Sequence, residues 1–381
     1  MVQRVPLMRI LIIAPSLKNY ADGVASYSEL LAGQMQRAGH QLACLSLYDK
    51  DEDCTAQAPV IDDIVCLRLP KFHASERKRK EALDFVRHFD PHWVSVQLSP
   101  YAYQAKGLPY QLFRLIVELC LGRKVQLMVH ELWVGKTSLR NQVYAMLQKR
   151  LIARFLHQLK PNLLHTQLPE YIQELKELGW KALPLPLFSN IATFDIPKKG
   201  FSQCHGEPSS SLDGVPFSIL IWGGIKWNKE ISHFLTSFAA ELKKRQQKLS
   251  IYYLGKNSVP RPTALANLTE QQEPYLDERA LSDLLSRSDL LLTDIPRHAL
   301  GKSGKVAAAL HHGLPIAAPH VLKHYSVDDL GFFDSNLTAC VLKDASWENY
   351  CPARQRAQNI QGKLGVAPIV QQLLEQMEDL A

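Results

Sequence analysis

Short apolar runs alternate with helix-patterned segments along this chain, and the alternation restarts once after a polar interruption. In the first half, Arg9–Ala14, Gln41–Leu47, Ile64–Leu69, Trp93–Gln97 and Val125–Val129 read as strands. The segment Ser26–Ala38 places Leu30, Leu31 and Met35 at helical spacing, with Gly39 as its stop, and Ser138–Leu159 reads as a long helix. After the interruption, Phe217–Trp222, Leu249–Leu254, Leu290–Thr293 and Leu314–Ala318 read as strands. Ile231–Leu242, Ala280–Ser288 and Gly304–His312 read as the helices between them. Strands that are apolar throughout and separated by helices imply βαβ units and parallel sheets buried on both faces.

The expected fold is therefore α/β, with two Rossmann-like doubly wound parallel-sheet domains facing across a cleft whose walls are the carboxyl ends of the strands. A length of 381 residues suits two domains. The polar stretch containing Lys198-Lys-Gly, Pro208-Ser-Ser-Ser and Asp213-Gly shows no hydrophobic period. It divides the chain into an N-terminal domain over residues 1–193, a linker over 194–215 and a C-terminal domain over 216–360. Residues 361–381 form a final helix, with Ile369, Leu373, Leu374 and Met377 on one face, expected to pack back near the domain junction.

No apolar stretch reaches the length of a membrane span, and the run Ile10–Ala14 is too short for a secretion signal. The expectation is a cytoplasmic protein. Its seven cysteines are odd in number and nowhere spaced Cys-x-x-Cys, so buried reduced thiols are favoured over disulfides or zinc. The net charge of +7 is concentrated between Lys71 and Lys160, where 16 Lys and Arg face 6 Asp and Glu. Such an excess suits a polyanionic partner such as an anionic membrane face, or else is a solvated basic surface. Few aromatics interleave with it, so no nucleic-acid partner is expected.

Four stretches carry chemistry. The loop Ala14–Val24 runs from the first strand into the first helix and contains Gly23, at a turn where backbone can approach a ligand. It lacks the Gly-x-Gly-x-x-Gly pattern of dinucleotide binding. His130 and Glu131 follow the strand Val125–Val129; a histidine there is either a hydrogen-bonding group of the site or a packed cap of the strand. Trp222-Gly223-Gly224-Ile225 opens the second domain, with Lys229 a few residues on. Two glycines and a lysine suit a diphosphate, although a surface lysine after a glycine turn is the commoner occurrence. Finally Gly301-Lys302-Ser303-Gly304-Lys305 precedes an alanine-rich helix. Pro296 stands where a Walker loop needs its first glycine, so the stretch reads instead as a helix start rich in cations.

Taken in order, Pro15…Gly23…Tyr27…Gly39-His40, the strand ending in His130, Gly223-Gly-Ile…Lys229, Leu276…Leu281-Ser…Ser288-Asp289 and Ala308-Ala-Leu-His-His-Gly313-Leu-Pro resemble the GT-B glycosyltransferases. The likeness is to the large retaining group that includes sucrose-phosphate synthases and bacterial mannosyltransferases. That resemblance implies that Gly23 lies against the donor phosphates or sugar and that His130 contacts the transferred sugar. It implies that Lys229 binds the diphosphate, that Tyr275 and Leu276 sit by the nucleobase, and that Gly301–Lys305 cap the diphosphate. The glutamates usual in the family eight residues apart are here Leu300 and Ala308, and the arginine usual after the first glycine of the second domain is Gly224. Lys302 and Lys305 look like the basic variant of that pattern.

The activity implied is transfer of a sugar from a nucleotide-diphosphate-sugar to a glycan or lipid-linked acceptor in polysaccharide or glycolipid synthesis. It is expected to be retaining, without a cofactor or metal, and peripheral at the inner membrane face. Catalytic candidates are His130, Glu131, Lys229 and Lys305; an inverting reaction would instead draw its base from Asp22, His130 or Glu131. Two other readings stay open: a catalytically inactive nucleotide-sugar-binding scaffold, and an epimerase that cleaves a nucleotide-sugar.

Overall fold

A computed structural model describes residues 7–17, 23–49, 64–70, 75–135, 139–194, 216–255, 269–273, 275–323, 325–326, 329 and 331–380. The chain divides into two compact units: Met1–Leu185 together with Val366–Ala381, and Pro186–Gly365. From residue 195 onward, the expected linker lies outside the described residues.

The first unit contains β1 (Arg9–Ala14), α1 (Gly23–Arg37), β2 (Gln41–Asp49), β3 (Val65–Pro70), α2 (Ser75–Phe89), β4 (Trp93–Leu98), α3 (Pro100–Tyr103), α4 (Tyr110–Leu119), β5 (Lys124–Val129), α5 (Leu139–Leu159), β6 (Leu163–Thr166), α6 (Pro169–Glu177) and β7 (Leu183–Pro184). Its seven strands stand in the order β3-β2-β1-β4-β5-β6-β7, with parallel pairing throughout. The strand order reverses between β1 and β4, which is where open parallel sheets form a crevice.

Alternate residues explain the two sides of this sheet. Leu11, Ile13, Leu45, Leu67, Val94, Val96, Leu127 and Val129 form one apolar face, which shares a core with Ala82 of α2, Ile116 of α4 and Phe155 of α5. On the opposite face, β4 and β5 carry Ser95, Gln97 and Gln126, each fully buried. At the carboxyl end of β2, Arg68 grips Asp49 with two hydrogen bonds of 2.9 and 3.0 Å, and Asp49 Oδ2 also accepts from Leu17 N. That buried pair ties down the start of the loop after β1.

The second unit contains β8 (Phe217–Trp222), α7 (Lys229–Lys244), β9 (Leu249–Leu254), β10 (Thr269–Glu273), α8 (Glu278–Arg287), β11 (Leu290–Leu292), a 3-10 helix (Arg297–Lys302), α9 (Gly304–His311), β12 (Ile316–Ala317), α10 (Ser335–Thr338), β13 (Val341–Leu342) and α11 (Trp347–Asn359). Its order is β10-β9-β8-β11-β12-β13, again parallel, with the reversal between β8 and β11. Phe217, Phe234, Phe238, Trp347 and Tyr350 pack together on one side of it.

Gly313 ends α9. With φ +75° it adopts the left-handed conformation that side chains disfavour, and its N–H returns to Leu310 O at 3.0 Å while Leu314 N returns to Ala309 O at 2.9 Å. The Gly-Leu-Pro of the sequence is thus a helix stop leading into β12.

The last helix, α12 (Val366–Glu378), belongs to the first unit, where it meets α1 and buries Ile369, Val370, Leu373, Leu374 and Met377. Among the described residues, no helix is long and apolar enough to cross a membrane.

The basic segment is less free than its composition suggested. Lys78 is buried and donates to Leu47 O at 2.6 Å, and burial lowers its pKa. Arg77 pairs with Glu81, Arg79 with Glu118 and Glu76, Arg87 with Asp84, and Lys149 with Glu177. Spacing of three or four residues along α2 brings Glu81, Glu76 and Asp84 alongside, whereas Glu118 and Glu177 come from α4 and α6. Lys80, Arg150 and Arg154 remain exposed.

Candidate functional site

In the second unit, the reversal between β8 and β11 gathers most of the residues singled out from the sequence. β8 ends at Trp222, and Gly223 N then donates to Leu254 O at 2.7 Å, prolonging the ladder with β9 by one bond. Gly223 has φ +84°. The backbone angle favours glycine here, and a Cβ placed on it would push Lys305 Nζ out of its present position. Gly224 is exposed, with open space where a Cβ would stand.

Lys305 reaches this turn from α9. Its Nζ donates to Trp222 O at 2.8 Å, and the side chain is half-buried. Burial lowers its pKa, and the negative charge of Asp294 partly offsets that. Asp294 lies just beyond β11, and its Oδ2 accepts from Lys226 N at 2.8 Å, closing the turn across the reversal point. Asp294 was not among the residues singled out from the sequence; the signal available was a carboxylate directly after the strand-patterned run Leu290–Thr293.

α9 starts at Gly304, where the sequence placed it. Gly301 and Lys302 belong to the preceding 3-10 helix, and Ser303 is the cap, its hydroxyl accepting from Val306 N at 3.4 Å. The switch of helix type follows from Ser303, whose extended backbone interrupts the helical run before Gly304. Gly304 and Lys305 therefore open α9, and Lys302 is exposed on the turn before it.

Lys229 opens α7 and is exposed. Asn228, also unforeseen, caps that helix by accepting from Ile231 N at 2.8 Å, and its amide meets His320 Nδ1 at 3.1 Å. Two helix starts thus flank the glycine turn, each with backbone N–H groups that have no intrahelical acceptor. This arrangement attracts an anion. Tyr275 and Leu276 lie just before α8; Tyr275 is 82% exposed and Leu276 half-buried.

In the first unit, Gly23 is the exposed first residue of α1, with open space where a Cβ would stand. Asp22 lies outside the described residues. His130 follows β5 and is buried, and its N–H continues the ladder to Leu98 O at 3.0 Å. Both ring nitrogens are engaged: Nε2 with Gln97 Oε1 at 2.9 Å, Nδ1 with Gln167 Nε2 at 3.2 Å. Tyr27 and the imidazole make a T-shaped pair with ring centroids 4.9 Å apart. Glu131, half-buried, accepts from Ser99 Oγ at 2.7 Å.

No family model matches the chain, and no curated protein matches it by sequence. Solved structures do match. A glycosyltransferase from Rickettsia africae aligns over 98% of this chain and 98% of its own, at 12% identity and a TM-score of 0.57. A UDP-GlcNAc 2-epimerase from Neisseria meningitidis, bound to UDP-GlcNAc, aligns over 98% and 100% at 11% identity and a TM-score of 0.49. MurG from Acinetobacter baumannii aligns over 98% and 99% at 15% identity and a TM-score of 0.45. The likeness is one of fold. Two parallel-sheet α/β units, shared with the Rickettsia enzyme, are the GT-B architecture.

Proposed function

We propose that this protein is a glycosyltransferase whose second unit binds a nucleotide-diphosphate-sugar at the carboxyl edge of its sheet. The observation that carries the reading is the Lys305 ammonium set against the Gly223 turn, between the starts of α7 and α9. In the transfer, the bond from the sugar's anomeric carbon to the β-phosphate oxygen breaks, and its electron pair stays on that oxygen. The acceptor hydroxyl attacks the same face and passes its proton to that departing phosphate oxygen. Lys229, Lys302, Lys305, the Ser303 hydroxyl and the N–H groups of Gly304 and Lys305 are the groups that offset the charge on the departing diphosphate. A well-placed donor of this kind lowers such a barrier by about 3 kcal/mol.

The reaction so drawn is retaining and needs no metal. Its donor would lie with the nucleobase near Tyr275 and Leu276, and its acceptor would be a glycan or lipid-linked sugar used in polysaccharide or glycolipid synthesis. His130 and Glu131 would face the sugar. Exposed Arg150 and Arg154, on the helix that also exposes Val143 and Met146, suit a peripheral position on an anionic inner membrane face.

A second reading has its own support. Leu300 and Ala308, where the resembling family carries glutamates, are both fully buried. Carboxylates are thus replaced by packed apolar groups, which favours a nucleotide-sugar-binding protein without transfer. Incubating purified protein with a panel of nucleotide-sugars separates the two. Release of nucleoside diphosphate supports the enzyme, whereas binding without turnover on any acceptor supports the scaffold.

A further inference from the structure

His130 stands at one end of a chain of side-chain hydrogen bonds that all run in one direction. Gln167 Nε2 donates to His130 Nδ1 at 3.2 Å, and His130 Nε2 donates to Gln97 Oε1 at 2.9 Å. Gln97 Nε2 donates to Ser95 Oγ at 2.9 Å, and Ser95 Oγ to Gln126 Oε1 at 2.5 Å. Gln126 Nε2 then donates to His165 Nδ1 at 3.2 Å, and His165 Nε2 to Gln376 Oε1 at 2.6 Å. An amide oxygen lies opposite Nε2 of each histidine and an amide nitrogen opposite Nδ1. With the glutamine amides oriented this way, both rings take the neutral Nε2–H tautomer.

The chain lies on the sheet face opposite the apolar core of the first unit. Ser95 and Gln97 are two residues apart on β4, and Ser95 is in register with Gln126 on β5. Ser95, Gln97, Gln126 and His165 are fully buried, and Gln167 nearly so. Gln376 belongs to α12, the helix with which the chain returns to this unit. Stability alone gives no reason for such a row. Apolar pairs of the same shape serve a buried sheet as well, and the other face of these same strands is built from valine and leucine. What a fully satisfied buried chain adds is a single arrangement, with each bond polarising the next.

We propose that His165 and Gln376 are positioning residues for His130: acting through Gln126, Ser95 and Gln97, they hold its imidazole neutral, with Nδ1 as the ring's one acceptor at the carboxyl edge of β5. A sugar hydroxyl that displaces the Gln167 amide would then find a lone pair to donate to. This rests on the reading that His130 faces the sugar, but the state of the ring can be measured without any substrate.

The test is the ring 15N spectrum of the full chain, with the His130 signals assigned by their loss in His130→Gln. In the unaltered protein His130 should show a protonated Nε2 and a bare Nδ1. Gln376→Leu removes the terminal acceptor and should shift the His130 ring signals toward a mixture of tautomers. Gln376→Glu, which keeps an acceptor oxygen, should restore them. In a transfer assay, Gln376→Leu should lower kcat about tenfold with the donor KM unchanged, a displacement smaller than 1 Å being enough for such a loss. Should Gln376→Leu fail to fold, Ser95→Ala interrupts the chain midway by a single hydroxyl and is read in the same way. The proposal is overturned if His130 is not the Nε2–H tautomer, or if its ring signals are unmoved while those of His165 shift. If no nucleotide-sugar binds, the glycosyltransferase reading fails while the spectrum still decides the positioning role.

Discussion

Lys305 Nζ donates to the backbone carbonyl of Trp222, joining the first turn of α9 to the last residue of β8 across 2.8 Å. This bond sets an ammonium beside the turn where the strand order of the second unit reverses. Replacing Lys305 with Met removes both the charge and the tether. The variant should lose about 1–3 kcal/mol of stability, as expected for a charge-assisted hydrogen bond. It should also lose most of the thermal stabilisation that a nucleoside diphosphate confers on the unaltered protein. Differential scanning fluorimetry with and without ligand measures both.

Gly223→Ala meets two penalties at once, a left-handed backbone and a collision with Lys305 Nζ. The backbone part costs about 1–2 kcal/mol wherever a side chain takes this conformation. The collision disappears when Lys305 is shortened. Gly223→Ala should therefore cost less stability in a Lys305→Ala background than alone, a non-additivity read from urea unfolding of the four proteins in the cycle. Additive effects would mean that the two residues do not meet.

Both doubly wound sheets were legible in the sequence because their central strands are unbroken apolar runs: Arg9–Ala14, Phe217–Trp222 and Leu249–Leu254 stand where they were expected. Edge strands were legible only where they are apolar: Ile64–Leu69 was expected and stands as β3, but β10 was not. Thr269–Glu273 reads Thr-Glu-Gln-Gln-Glu, and a polar strand paired on one side leaves no hydrophobic signal. Helix α2 was hidden by its charged run Arg77–Lys80, whose burial of Lys78 depends on where Leu47 lies in a neighbouring strand. The glycine turn and the lysine of the site were visible as residue types, but their pairing was not. Lys305 and Trp222 are 83 positions apart, and periodicity carries no information on who meets across a sheet. His130 shows the same limit, since its partners Gln97 and Gln167 come from other elements.

Acid should weaken the first unit through His165. Burial pushes this histidine down to about 4, against about 6.5 in an unfolded chain. Because the folded form binds its proton less readily, its contribution is complete above pH 6.5 and is lost as the pH falls toward 4. That loss is on the order of 3 kcal/mol. His165→Gln should flatten the pH dependence of unfolding over this window, measured by urea denaturation at half-unit steps. His311, in the second unit, is pushed down to about 4 by burial in the same way and should leave a residual slope in the variant.

Arg68 and Asp49 make a buried ion pair that also holds Leu17 N at the start of the loop after β1. Arg68→Met strands the carboxylate and should cost about 3–5 kcal/mol. Arg68→Met combined with Asp49→Leu should recover much of that loss, because neither member is then buried as an uncompensated charge. Chemical denaturation of the single and double variants measures the difference.

The central claim is that a diphosphate binds at the carboxyl edge of the second sheet, and hydrogen exchange read by mass spectrometry tests it most directly. With a stabilising nucleoside diphosphate or nucleotide-sugar bound, amides of Gly223–Asn228 and Ser303–Val306 should exchange more slowly, and Lys305→Met should abolish that protection. Protection elsewhere with none in these two segments, or no effect from any nucleotide, would contradict the account.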